Sequence, residues 1–226
     1  MKLKRPFSLL LVALFFVSIV PAPARSQSAL APTPLQVAGA VPEALSSSGY
    51  VNSFTVADPV AYWYTAPGAC PQDVSTEVIG RTPTYGGDYR WLYQRYTQCG
   101  QTDLYSNLVA DDQYIYWISV AHGGLVRISK NANYLDTPQL MADYEISGRG
   151  YLTQHYNKLY FLNYDWRSLY SIDKSTFAKG TVIQDACADC GKLIVTDDYY
   201  YIKGNLGLMR YRTDTLERYI IENGVG

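Results

Sequence analysis

Residues 108–117 read Leu-Val-Ala-Asp-Asp-Gln-Tyr-Ile-Tyr-Trp, and residues 194–202 read Ile-Val-Thr-Asp-Asp-Tyr-Tyr-Tyr-Ile. The pairs Asp111-Asp112 and Asp197-Asp198 stand 86 positions apart, and between them runs Tyr151-Leu-Thr-Gln-His-Tyr-Asn157-Lys-Leu-Tyr160-Phe161. Tyr160 follows Tyr116 by 44 positions. A fourth copy starts at Phe54-Thr-Val-Ala-Asp58-Pro-Val-Ala-Tyr62-Trp63, 54 positions ahead of its counterpart. The longer spacing implies an insertion of about ten residues in the first unit.

Each copy has the same physical reading. A short apolar strand enters an Asp or Asn turn, whose side chain bonds the local backbone and tolerates left-handed geometry. A second strand then carries aromatics. A third alternating strand follows: Leu125-Val-Arg127-Ile128-Ser, Leu169-Tyr-Ser171-Ile172-Asp and Leu208-Met-Arg210-Tyr211-Arg in the second, third and fourth units. A fourth comes at Gln139-Leu-Met-Ala, Thr181-Val-Ile-Gln and Arg218-Tyr-Ile-Ile221. Four short strands recurring about every 43 residues is the arithmetic of a β-propeller blade. No segment after residue 24 shows a helical stripe. The expected fold is all-β, a propeller of four-stranded blades with four units visible.

Composition agrees. Of 226 residues, 22 are Tyr, a type that suits a half-buried pleated surface, and at 48% hydrophobic and 17% charged the chain is made to pack. A net charge of −1 leaves no basic footprint, so nucleic acid is not an expected partner.

Tyr114-Ile-Tyr116-Trp117 followed by Gly124-Leu-Val-Arg127-Ile-Ser-Lys130 resembles a blade of the YWTD type and of TolB-like bacterial propellers. The resemblance implies a mostly six-bladed family of binding platforms and accessory domains of secreted proteins. Three regular units and one long one do not close such a ring. An incomplete or truncated ring, a small ring closed by residues near Val51 to Val56, and assembly with another copy all satisfy the count. An open propeller exposes sheet edges and blade faces.

The first residues belong to targeting. Lys2, Lys4 and Arg5 precede an apolar run from Phe7 to Val20, and Ala22-Pro23-Ala24 supplies small residues for cleavage. Residues 1–24 are expected to be a signal peptide, the run being shorter than the roughly 20 residues of a bilayer-spanning helix. No stable membrane span is expected after cleavage, and the destination is secreted or cell-envelope. Residues 25–49, rich in Ala, Pro, Ser and Gln, read as a flexible leader, and residues 50–226 as the repeat domain.

In an exported chain, four cysteines read as disulfides. Proximity favours Cys70–Cys99 and Cys187–Cys190 among the three connectivities. Redox activity is not expected of Cys187-Ala-Asp-Cys190, because it links strands rather than opening a helix. No zinc site is expected, since Cys70 and Cys99 are 29 positions apart. His122-Gly123-Gly124 matches an esterase oxyanion loop, yet no G-x-S-x-G accompanies it, so a hairpin turn is expected there. His155 is placed in a turn. The Asp-Asp pairs are too sparse for calcium's six to eight oxygens. No catalytic residue, metal or cofactor is therefore expected. Trp91, Tyr93, Tyr96 and Trp166 are assigned to irregular or inserted segments and form the candidate ligand surface. The expected function is non-catalytic binding of a protein or carbohydrate. The alternative is an accessory propeller of a secreted hydrolase whose catalytic domain lies elsewhere.

Overall fold

The turn of Asp111 shows how each repeat starts. Its carboxylate accepts from the backbone N–H groups of Gln113 and Tyr114, both at 2.9 Å, while its own N–H donates to the Tyr114 carbonyl at 3.0 Å. A reversal is thus closed within four residues, and the strands on either side pair antiparallel. The computed structural model describes residues 49–57, 59–67, 74–84, 87–98, 101–104, 106–143, 150–162, 167–187, 190–205 and 207–223. All lie in one compact unit, Val37–Gly226. Residues 1–48, Cys70, Cys99 and Trp166 lie outside the described residues.

Sixteen strands form four sheets of four, with no helix among the described residues. Sheet 1 is β1 (Gly49–Ala57), β2 (Val60–Pro67), β3 (Val74–Pro83) and β4 (Arg90–Gln98). Sheet 2 is β5 (Val109–Ala110), β6 (Tyr114–Ser119), β7 (Gly124–Ser129) and β8 (Gln139–Asp143). Sheet 3 is β9 (Tyr151–His155), β10 (Lys158–Leu162), β11 (Leu169–Asp173) and β12 (Lys179–Ile183). Sheet 4 is β13 (Lys192–Val195), β14 (Tyr199–Gly204), β15 (Gly207–Arg212) and β16 (Arg218–Asn223). Each sheet is a meander in chain order. β1 touches β5, β5 touches β9 and β9 touches β13, so the first strands line the inner wall.

The third residue of each second strand lies on the face turned towards the next sheet in sheets 1 to 3, and on the corresponding outer face in sheet 4. These are Tyr62, Tyr116, Tyr160 and Tyr201, set opposite Arg81, Arg127, Ser171 and Arg210. Three apolar seams follow. Tyr62 and Tyr64 meet Ile115 and Trp117 between sheets 1 and 2; Tyr116 and Ile118 meet Leu159 and Phe161 between sheets 2 and 3; Tyr160 and Leu162 meet Tyr200 and Ile202 between sheets 3 and 4. Each fully buried apolar side chain contributes about 1.5–3 kcal/mol.

The seams carry a second, polar lock. Arg81 Nη1 donates to the Lys130 carbonyl at 2.9 Å, and Arg127 Nη1 donates to the Lys174 carbonyl at 3.4 Å. Lys174 Nζ reaches back to Asp111 Oδ2 at 2.9 Å, where the Tyr116 hydroxyl also donates at 2.6 Å. Partial burial would raise the Asp111 pKa, but the bonds from Tyr116, Lys174, Gln113 and Tyr114 win and hold it at about 2.

Several sequence expectations change. The turns are offset by one: Asp111 N–H bonds the Tyr114 carbonyl, and the equivalent bond in sheet 4 runs from Thr196 N–H to Tyr199. Thr196, not Asp197, is therefore the counterpart of Asp111. His155 is the last residue of β9, not a turn residue. Among the described residues, much of the extra length of the first unit is strand rather than irregular insertion. β3 and β4 are longer strands paired along their length, so Trp91, Tyr93 and Tyr96 all stand in the regular strand β4. The stretch Val51 to Val56 pairs with β2 in its own sheet and does not close the last one. A disulfide joins Cys187 to Cys190 between β12 and β13, with Cα atoms 5.7 Å apart.

The Asp111 lock has a pH signature. A carboxylate held below its usual 3.8 stabilises the fold at every pH above that value and loses the contribution as pH falls towards 2. The gap corresponds to ~2 kcal/mol. Asp111→Asn is expected to flatten the dependence of the urea midpoint between pH 5 and pH 2.5. An unchanged slope would show that the lock contributes nothing.

Candidate functional site

Between β4 and β5 the described backbone of 101–104 and 106–108 belongs to no sheet apart from a bridge at Leu104 to Ser119. Two backbone bonds, from the Gln101 N–H to Gln98 and from the Val120 N–H to Asp103, are joined there by several from side chains. Glu77 accepts the Asp103 N–H with both carboxylate oxygens at 2.9 and 3.1 Å. Asp103 Oδ1 accepts from Arg95 at 3.1 Å, Ser119 Oγ at 2.8 Å and the Ala121 N–H at 2.7 Å. Ser119 Oγ also lies 2.8 Å from His122 Nδ1.

This Ser-His-Asp set has the residue types of a hydrolase triad but not the connectivity. The serine hydroxyl donates to Asp103 and not to the imidazole, whose Nδ1 lies beside the same oxygen. The imidazole is not placed between serine and carboxylate as a triad requires, and Ser119, at 0% exposed, offers no hydroxyl to a substrate. Burial lowers the His122 pKa, and burial raises that of Glu77. The cluster is a linker anchor. His122 sits in the turn between β6 and β7, as its Gly neighbours suggested.

The candidate aromatics separate into three environments. Tyr93 is 5% exposed and packs against Trp117, with ring centroids 5.6 Å apart, so it belongs to the core and not to a ligand surface. A β-bulge between Ile79 and Gly80 breaks the alternation of β4 and turns both Leu92 and Tyr93 inward. Tyr96 is 69% exposed on the face turned away from sheet 2. Trp91, 39% exposed, helps line a cleft of ≈ 490 Å³ with Tyr89, Arg90, Asn133 and Tyr134. About 17 Å of strand separates Trp91 from Tyr96, so the structure does not bring them together.

The cleft of Trp91 straddles the seam between sheets 1 and 2. Tyr89 and Tyr134 are exposed beside it, and Arg90 Nη2 donates to Asn133 Oδ1 across the seam. Asn133 is itself fixed, its N–H donating to Asp136 Oδ2 at 2.9 Å and its carbonyl accepting from the Asp136 N–H at 2.8 Å. Three exposed aromatic surfaces around bonded polar groups offer contact area at low entropic cost. Sequence reading missed Tyr89, Arg90, Asn133 and Tyr134. The aromatic-rich run Tyr89-Arg90-Trp91 was a visible signal; its meeting with Tyr134 was not.

A second cleft of ≈ 490 Å³ opens at the turns of the same seam, among Tyr62, Arg81, Asp112, Tyr114 and Lys130. Its cations serve the fold. Arg81 bonds the Lys130 carbonyl, and Lys130 Nζ stands 5.1 Å above the Tyr62 ring. Among the described residues no three or more His, Cys, Asp or Glu side chains converge as a metal site would require. Nor is any helix there long and apolar enough to cross a membrane.

No protein-family model and no curated protein matches the chain. Solved structures do. A chain from a nidogen/laminin complex superposes with a TM-score of 0.56 at 12% identity, over 76% of this chain and 64% of that one. The extracellular domain of BT4673 from B. thetaiotaomicron, named as a one component system, superposes with a TM-score of 0.53 at 13% identity. That match covers 78% of this chain and 22% of the other. The chain thus spans under two thirds of the length of either. The fold is β-propeller-like. Four consecutive blades are described.

Asp103→Ala is expected to destabilise the fold by about 2–3 kcal/mol in urea, because the Ser119 hydroxyl and the Ala121 N–H lose their acceptor in a dry site. A cost below about 0.5 kcal/mol would show that the linker does not depend on it.

Proposed function

We propose that the protein is an exported, non-catalytic binding platform whose protein or glycan ligand lies over the cleft of Tyr89, Trp91 and Tyr134. The observation that carries this reading is a cleft with exposed aromatic walls and polar groups already fixed by bonds to one another. The resemblance to YWTD and TolB-like propellers, strongest in β6 and β7, supports a binding role, as does the fold shared with extracellular proteins. The only Ser-His-Asp set among the described residues is wired as a structural anchor, which supports a non-catalytic role. A second reading, an accessory part of a larger secreted enzyme, draws on the match to 22% of a much longer extracellular chain.

Export is part of the proposal, with residues 1–24 as signal peptide. The Cys187–Cys190 disulfide supports it, since such bonds persist in oxidising compartments. A Cys70–Cys99 bond is proposed with it and would contribute on the order of 3 kcal/mol in the chain-entropy model. N-terminal sequencing of the exported protein should begin at Arg25; recovery of an intact Met1 would refute the cleavage.

The ligand site is tested by immobilising soluble glycans and extended peptides and measuring binding of the protein with Trp91→Ala and Tyr134→Ala. Each substitution removes an exposed ring and is expected to weaken binding at least tenfold while leaving the urea midpoint within about 0.5 kcal/mol of wild type. Binding that survives both places the ligand elsewhere. Hydrolysis of any probe by the chain alone would refute the non-catalytic reading.

A further inference from the structure

The backbone N–H of Lys130 donates to Gln113, that of Lys174 to Asn157, that of Thr213 to Asp198 and that of Thr84 to Pro59, at 2.8–2.9 Å in each case. These four bonds mark one equivalent turn residue per sheet: Thr84, Lys130, Lys174 and Thr213. At two seams the carbonyl of that residue is the acceptor for an arginine of the preceding sheet. Arg81 takes Lys130, and Arg127 takes Lys174. The Arg127 guanidinium is also sandwiched, 4.1 Å from the Tyr114 ring of its own sheet and 4.7 Å from the Phe177 ring of the next.

Arg210 occupies the same position in sheet 4, opposite Tyr201 as Arg127 is opposite Tyr116. It lies 4.9 Å from the Tyr199 ring and 5.1 Å from that of Tyr219. Its Nε is buried and has no hydrogen-bond partner. Among the described residues no fifth sheet covers this face. Ile194, opposite Tyr201, is 61% exposed on it. At the other end, the face of sheet 1 turned away from sheet 2 leaves Phe54 71% exposed, with Val56 exposed beside it, while Trp63 opposite Phe54 is buried against Gly80. The Thr84 turn, with exposed Tyr89 a few residues on, stands where Lys130 and Lys174 stand in the sheets that receive an arginine.

We infer that two copies of this chain associate head to tail, the free face of sheet 4 in one copy docking on the free face of sheet 1 in the other. Arg210 of the first copy donates to the Thr84 carbonyl of the second, and Ile194, Tyr201 and Tyr219 pack on Phe54 and Val56. The contact repeats the chemistry of the internal seams, with an arginine on the leading side and a turn carbonyl on the receiving side. It is heterologous, so it ends either in a closed ring or in a growing chain of copies.

Sedimentation velocity of the exported protein at micromolar concentration is expected to show two or more copies per particle. Ile194→Asp and Phe54→Asp each place a charge in the contact but sit at exposed positions, so both variants should keep the wild-type circular dichroism. Each alone is expected to shift the association at least tenfold towards monomer, as is Arg210→Gln. Mixing the two Asp variants leaves one unmodified sheet 4 face and one unmodified sheet 1 face. The mixture should therefore form a one-to-one pair. A monomeric wild-type protein overturns the inference, whether the face is empty or takes a different protein. So does a mixture that stays monomeric, because two intact complementary faces then fail to pair, and so does either Asp variant that stays associated on its own, because like faces then meet like.

Discussion

A four-stranded sheet of short strands has two faces and cannot bury either one by itself. In β6, Ile115 and Trp117 go to the seam with sheet 1, while Tyr116 and Ile118 go to the seam with sheet 3. Five of its six residues are buried, and in β10 four of five are. β14 instead alternates, with Tyr200 and Ile202 buried and Tyr199 and Tyr201 only half so, because sheet 4 is covered on one side. The burial pattern of β14 thus reflects a sheet covered on one side, where β6 and β10 read as apolar runs, the distinction that separates one-sided from two-sided sheets in general. β2 of sheet 1 departs from it, with Tyr62, Trp63 and Tyr64 all buried.

That dependence explains what was legible in the sequence. The turn residues and the third-position tyrosines could be read because every unit must meet the same neighbour in the same way. The offset between Asp111 and Asp197 could not, since in sheet 4 a threonine takes the closing position, Thr196 Oγ1 accepting the Tyr199 N–H at 3.1 Å, while Asp197 bonds His155. The first unit misled for a related reason. Longer β3 and β4 strands add residues without adding an element, so repeat arithmetic registers an insertion where the described residues show, in large part, longer pairing. Within β4 a single bulge then undoes the period of two, which is why Tyr93 is core while Trp91 and Tyr96 are exposed. Gly80, at that bulge, faces the Trp63 ring; a Cβ there would lie 2.5 Å from it. No pattern in β4 alone announces a bulge that shows only in its register with β3.

The crossings between sheets are a separate problem, because a segment leaving an outermost strand for the next innermost one cannot join either ladder. Between sheets 1 and 2 the solution is polar. Glu77 and Asp103 take backbone and hydroxyl donors, Ser106 Oγ accepts the Ile118 N–H at 3.0 Å, and Asn107 exchanges two bonds with the Leu152 backbone at 2.8 and 3.0 Å. Between sheets 3 and 4 it is covalent and compact: the Cys187–Cys190 bond closes the crossing, and the Tyr211 hydroxyl donates to the Ala186 carbonyl. Polar clusters of this kind mimic catalytic constellations in composition. The direction of each hydrogen bond tells them apart.

The same seam that needs the polar anchor also carries the aromatic cleft, and this has a thermodynamic consequence. Tyr89, Arg90 and Trp91 belong to sheet 1 and Asn133 and Tyr134 to sheet 2, so a ligand that spans them binds only while the two sheets are docked. Arg81 to Lys130, Ser53 Oγ to the Leu108 N–H at 2.9 Å, and Arg90 to Asn133 hold that docking at the turns, the inner wall and the rim. The rings are therefore positioned before any ligand arrives, and little ordering remains to be done on binding. By linkage the ligand in turn favours the docked seam, by an amount set only by its concentration relative to its dissociation constant. At the proposed site, recognition on a seam rather than on a blade face would make one set of contacts serve both stability and binding.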